Sequence, residues 1–114
     1  MKPKNRLCKT EDIKRVRNNG RSYTHPLLVL IKEENELDLL RIAVIAGKST
    51  GSAVSRNRIK RRIRACVDEN LPTIKNGWDV ILQARQNAQK AGFQQINEAL
   101  KGLLIKAELL QINE

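Results

Sequence analysis

Apolar residues follow two rhythms along this chain. In two stretches they recur every three or four residues, as on one face of a helix. Elsewhere they form short runs bounded by turn residues, as in buried strands. The first helical stretch places Ile59, Ile63, Cys66 and Val67 on one side. The second carries Phe93, Ile96, Leu100, Leu103, Ala107 and Leu110. The runs at 27–31, 39–46 and 78–84 predict strands. Residues 32–38 are polar and acidic, which suits a loop joining the first two runs as an antiparallel hairpin. Pro26 stands at the edge of the first run, where a missing N–H does little harm.

Local signals set the remaining boundaries. Thr10 followed by Glu11 and Asp12 reads as a capped start to a short basic helix. Ile13 and Val16 share one face of it, and Asn18-Asn19-Gly20 stops it. A short extra strand fits 21–24. Residues 47–52 read as a turn, and the central helix runs over 53–70 with Pro72 beyond its end. Lys75-Asn76-Gly77 makes a further turn. The expected fold is α+β, an α/β sandwich of helices on a small mixed sheet, formed by residues 1–114 as a single domain.

Charge changes this picture. The 114 residues hold 22 Lys and Arg against 12 Asp and Glu, a formal charge of +10. Such an imbalance opposes compaction and suits a polyanionic partner, nucleic acid before membrane. The charge is also segregated. No acidic residue occurs between Leu39 and Val67, and residues 56–64 hold five arginines and one lysine. At about 100° per residue, Asn57, Lys60, Arg61 and Arg64 form one stripe of the central helix, opposite Ile59 and Ile63. Arg58 flanks the stripe. Arg56 and Arg62 lie near the apolar margin, where their stems can snorkel outward. Like charges one turn apart weaken a helix unless an anion compensates them. A solubilising face would interleave both signs. The Gly51-Ser52 entrance adds free N–H groups suited to an anion.

Other chemistries are thin. Cys8 and Cys66 match no disulfide framework or metal spacing, so two reduced thiols in a cytosolic protein are expected. His25 is solitary, and a structural role is its default. Asp12, Asp38, Asp68 and Asp79 show no paired spacing that a nuclease would need. No signal peptide or membrane-length apolar run is evident, so a cytoplasmic protein without membrane attachment is expected. Trp78 reads as a core residue at a strand edge, while Tyr23 beside Arg21 fits core or base stacking equally. A ribosomal-protein-like module that binds structured RNA without a ribozyme partner also fits the basic helix. A DNA-binding role fits less well, since no short helix precedes it as in a helix-turn-helix.

The segment Gly51, Ala53, Val54, Arg56, Asn57, Arg58, Ile59, Lys60, Arg61 and Arg64 resembles the signature of the bacterial ribonuclease P protein family. Asn5-Arg6-Leu7, Glu11-Asp12, Val16, Gly20-Arg21 and residues 81–85 extend the likeness over nearly the whole chain. The resemblance implies element order αβββαβα, with a left-handed crossover through the basic helix where general rules favour a right-handed one. It implies a subunit of an endoribonuclease that removes the 5′ leader of precursor tRNA. The catalyst would be the RNA subunit, with Mg²⁺ held mainly by RNA and none by the protein. The implied partners are that catalytic RNA and precursor tRNA, with no obligate protein partner. Lys48, Arg56, Asn57, Arg58, Lys60, Arg61 and Arg64 would contact the catalytic RNA. The leader would lie in a cleft at Ile13, Arg17, Leu27, Leu30 and Arg85. Many members carry aromatic residues where this chain has Ile13, Arg17 and Leu30, so leader contact here would use aliphatic side chains and arginine stacking.

Overall fold

The structure is a computed structural model and describes residues 1–111. Helix α1 (Thr10–Asn19) leads to strand β1 (Arg21–Thr24), β2 (Leu28–Glu34) and β3 (Arg41–Ala46). Helix α2 (Ala53–Asn70), β4 (Trp78–Ala84) and α3 (Phe93–Lys106) follow. The order αβββαβα and the α+β class are those expected, including the short β1.

The strands lie in the order β1-β2-β4-β3. β1, β2 and β4 are antiparallel neighbours, whereas β3 and β4 are parallel, so α2 is the crossover between them. This corrects the expected hairpin: β2 and β3 run in opposite directions but never pair. β4 inserts between them, matching Leu28↔Ala84 through Glu34↔Trp78 on one side and Arg41↔Asp79 through Ala46↔Ala84 on the other. The reason lies in β4 itself. Asp79, Val80, Ile81, Leu82 and Ala84 are all buried, which only the centre of a sheet provides. The 35–40 segment therefore wraps the entry of β4: Asn35 N–H donates to Gly77 C=O (3.1 Å) and Gly77 N–H to Leu39 C=O (3.1 Å).

β2 also extends three residues into the stretch read as loop, because its polar side chains find partners. Lys32 lies 4.4 Å from the Trp78 ring and 5.7 Å from Tyr23, and its Nζ donates to Ala107 C=O at the end of α3 (2.5 Å). Trp78 and Tyr23 thus flank a lysine beneath α3. Glu33 pairs with Arg15 of α1 (2.8 Å).

Each sheet face has its own core. One face packs Leu28, Leu30, Ile42, Val80 and Leu82 against Ile59, Ile63 and Val67 of α2 and Ile96, Leu100 and Leu103 of α3. A buried amide pair, Asn70 Nδ2 to Asn97 Oδ1 (2.7 Å), links these two helices. The other face carries a smaller cluster of Leu7, Val16, Ile31, Ala43 and Ile81 beneath α1. α3 is shorter than its apolar stripe suggests. Phe93 is exposed, and Leu110 lies past the helix end, bridged to Ile74.

Two predicted boundary signals act differently. Thr10 lies inside α1; the N-cap position is Lys9, with no side-chain cap bond. Gly20 ends α1 in extended backbone rather than a left-handed turn. Glycine is needed there for space: a Cβ would sit 2.4 Å from Val16 O and 2.8 Å from Ile31 Cγ2.

Candidate nucleic-acid interface

The basic helix is built from its entrance. Gly51 takes φ +109, a conformation that side chains avoid, and a Cβ there would meet Gln89 Nε2 at 2.7 Å. Ser52 then caps α2, accepting from Ser55 N–H (3.3 Å), while Ser55 Oγ donates to Thr50 C=O (3.0 Å). These bonds fix where the helix starts and hence which residues face out.

Ile59, Ile63, Cys66 and Val67 are buried against the sheet, as the period predicts. Asn57, Arg58 and Arg61 are exposed, and Lys60 and Arg64 half-exposed. Val54, Asn57, Arg61 and Arg64 line a shallow hollow of about 420 Å³. Val54, 67% exposed, places an apolar spot among the arginines that charge counting overlooked. Among the described residues, no salt bridge involves a basic side chain of α2. The cationic face is therefore unneutralised. Arg62 and Arg56 differ from the rest. Arg62 Nη1 donates to Ala91 C=O (3.0 Å), tying α2 to the loop before α3. Arg56 has a buried Nε without a partner.

The sheet face under α1 is the second surface. Ile13 and Arg17 do border it: Ile13 packs on the small cluster, and Arg17 Nη1 donates to Gln83 Oε1 (2.9 Å). Val29 and Ile45 share this face, half-exposed. Leu30 does not. It is 0% exposed and sits in the opposite core against α2 and α3, so it cannot touch a ligand. Strand neighbours alternate faces, and Val29 and Ile31, with Glu33, are the β2 residues that look toward α1. Leu27 precedes β2 and packs on the larger core. Lys48 follows β3, Arg85 follows β4, and Leu27 precedes β2. The register row Leu28, Ala84, Ala46 therefore brings all three to one end of the sheet. Arg85 Nη1 donates there to His25 C=O (3.3 Å), and His25 Nδ1 accepts from Leu27 N–H (3.0 Å), the structural role expected of that histidine.

A groove of about 200 Å³ opens beside β3, lined by Arg6, Cys8, Ile13, Val44, Ile45 and Arg64 among others. Arg64 borders both this groove and the α2 hollow, so the two surfaces meet at its side chain.

Folding also assembles carboxylates that sequence spacing kept apart. Asp79 is 0% exposed and accepts from Arg41 Nε (2.8 Å), Arg41 Nη2 (2.7 Å), Arg15 Nη2 (2.5 Å) and Asn35 Nδ2 (2.9 Å). Burial alone would push the Asp79 carboxyl up. The hydrogen bonds from Arg41, Asn35 and Arg15 outweigh it and hold the group below the usual carboxylate range. Asp12 completes the cluster, 3.5 Å from Arg15 and 3.7 Å from Arg41. Two guanidiniums already occupy these oxygens, which makes the site hostile to a divalent cation. Among the described residues no group of three or more His, Cys, Asp or Glu could hold a metal, and no helix is long and apolar enough to cross a membrane.

The family model described as Ribonuclease P matches residues 1–108. The ribonuclease P protein component of Herpetosiphon aurantiacus is 38% identical over 109 residues, covering 96% of this chain and 89% of the relative. That of Dehalococcoides mccartyi is 38% identical over 112 residues, covering 96% and 90%. Among solved structures, the Staphylococcus aureus RNase P protein superposes with a TM-score of 0.86 at 31% identity, over 94% of this chain and 98% of that one. The Thermotoga maritima RNase P protein gives 0.81 at 25% identity, over 89% and 96%.

Proposed function

Because the chain belongs to the ribonuclease P protein family, we propose that its α2 face binds the enzyme's RNA subunit while the α1 side of its sheet holds the 5′ leader of precursor tRNA. The chain is a protein subunit of ribonuclease P, an endoribonuclease complex. The observation that carries the proposal is the unneutralised face of Asn57, Arg58, Lys60, Arg61 and Arg64, seated on a helix whose other side is locked into the core.

Each part has a physical role. Arg58 and Arg61 are exposed forks that can grip phosphate oxygens two at a time, releasing counterions as they do so. Asn57, one residue before Arg58 and one turn before Arg61, can read or orient a base edge. Lys48 and Arg85, at the end of the sheet, extend positive charge toward the leader. Ile13, Val29 and Ile45 offer an apolar floor for unstacked bases, and Arg17 a guanidinium plane. The leader site thus keeps Ile13, Arg17 and Arg85 and replaces Leu30 with Val29 and Ile45.

Catalysis in this reading belongs to the RNA. His25 is the single histidine of the sequence, and among the described residues no group of three or more His, Cys, Asp or Glu could hold a metal. Its buried acid, Asp79, is bound to Arg15 and Arg41, so it does not fit Mg²⁺, and any such ion is left to the RNA. The protein instead raises the affinity of the ribozyme for its substrate. The test is cleavage of precursor tRNA by the cognate RNA subunit at low Mg²⁺, with and without this protein. Faster cleavage with the protein, and none by the protein alone, is the expected result. Cleavage by the protein without RNA would overturn the reading.

A further inference from the structure

Helix α1 is held to the sheet by very little apolar surface. Of its ten residues only Val16 is buried, and Ile13 half-buried. A helix this short is marginal alone, so its orientation comes from tertiary contacts. Successive residues of α1 meet successive inward residues of β4. Arg15 reaches Asp79, Val16 joins the cluster containing Ile81, and Arg17 reaches Gln83. On a helical wheel Arg15 and Arg17 each lie about 100° from Val16, on opposite flanks. Val16 is then a pivot and the two arginines are stays on either side of it.

The two stays are unequal. Arg17–Gln83 is a single exposed hydrogen bond of 2.9 Å. Arg15 spans the buried Asp79 (2.5 Å) and Glu33 (2.8 Å), and Asp79 is itself clamped by both Nε and Nη2 of Arg41 and by Asn35. The strong stay lies on the flank away from Ile13, which lines the groove, and Arg17, which borders the same sheet face. We propose that Asp79 is a positioning residue: through Arg15 it sets the roll of α1 about its axis and so aims Ile13 and Arg17 at single-stranded RNA lying on the sheet. The inference rests on the leader-binding reading above. It assigns Asp79 no contact with RNA, since its carboxylate is wholly enclosed. It also gives the carboxylate cluster a purpose other than metal binding.

The test uses the reconstituted holoenzyme and two precursor tRNAs, one with a leader of several nucleotides and one with a single-nucleotide leader. Arg15→Gln is the main variant, because it leaves Asp79 paired with Arg41 and is the milder change. Asp79→Asn is the second. Circular dichroism and thermal melting establish which variants remain folded. The expected result is loss of most of the affinity that the longer leader adds, read as KM. The affinity of the protein for the RNA subunit and the kcat at saturation stay unchanged. Restoring a charged donor with Arg15→Lys should recover part of the leader effect. The proposal fails if folded Arg15→Gln keeps the full leader effect while Arg17→Ala or Ile13→Ala removes it. If the wild-type protein shows no leader effect at all, the leader-binding reading falls and this inference with it.

Discussion

Asp79 illustrates how a single buried acid depends on its partners. Its carboxyl titrates below the usual carboxylate range because hydrogen bonds from Arg41, Asn35 and Arg15 outweigh the effect of burial. A carboxyl depressed on folding stabilises the protein above its unfolded pKa of about 3.9, and that contribution is lost as pH falls through the lower folded value. Acid melting curves of the wild type should therefore steepen below about pH 4, whereas Asp79→Asn should lack that component. The same variant removes the charge that the two guanidiniums share, while Arg15 keeps Glu33 and Arg41 keeps Asp12, and should cost about 1–3 kcal/mol at neutral pH, measured by urea unfolding. The cysteines separate in the opposite way. Burial, with help from Glu69, pushes the Cys66 thiol up to about 11, while Cys8 is exposed. A thiol reagent at pH 8 should count one reactive group in the native protein, from Cys8, and two after denaturation. Little of this was legible beforehand. Asp79 looks like any strand acid in sequence, since Arg15 and Arg41 lie 64 and 38 residues away. The misplacement of Leu30 has a similar cause. Residues 27–31 are apolar without interruption, so the run has no alternation to say which members face α1. Only pairing, Leu30↔Leu82 and Ile31↔Ile81, decides it.

The elements divide by how local their determinants are. α2 could be drawn from the sequence because apolar and cationic residues alternate with the helical period over 18 residues, and both faces come out as drawn. Ile63→Asp should then unfold the domain: an unpaired buried charge costs several kcal/mol against a typical net stability of about 5–15. Loss of the cooperative melt is the expected observation; a folded variant with weak RNA binding would mean that the faces are exchanged. Changing Arg58 and Arg61 together to Ala should leave the melt intact and weaken RNA-subunit binding. The log–log salt slope should flatten by roughly 0.7–0.9 for each phosphate that the variant no longer neutralises. The junction of α1 with β1 is another local device, since a Cβ at Gly20 would overlap Val16 O. Gly20→Ala should lower stability by about 1–3 kcal/mol, read as a drop in Tm. The expected β2–β3 hairpin failed for the opposite reason. Adjacent apolar runs and a polar gap describe the strands but not their neighbours, and β4, supplied some 35 residues later, has the stronger claim to the sheet centre.

For the molecule as a whole, the proposed function asks one small domain to serve two RNA strands. The formal charge of +10 draws any RNA toward it but does not distinguish the strands. Geometry does. The α2 face is exposed and cationic, suited to the fixed phosphates of a folded RNA. The α1 side is a groove with an aliphatic floor, suited to a flexible strand with exposed bases. The two share one border residue, Arg64, which lines both the α2 hollow and the groove beside β3. Arg61 lines the hollow but not this groove, and Ile13 the groove but not the hollow. Three substitutions should therefore behave differently in one assay. Arg61→Ala should weaken RNA-subunit binding and leave the added affinity of a long leader intact. Ile13→Ala should do the reverse. Arg64→Ala should reduce both, because a leader leaving the groove and the RNA subunit on α2 would each lose the same guanidinium. Measuring the two affinities for all three variants at fixed salt checks this. If Arg64→Ala matches Arg61→Ala in both measurements, the leader does not pass Arg64, and its path must cross another part of the α1 side of the sheet.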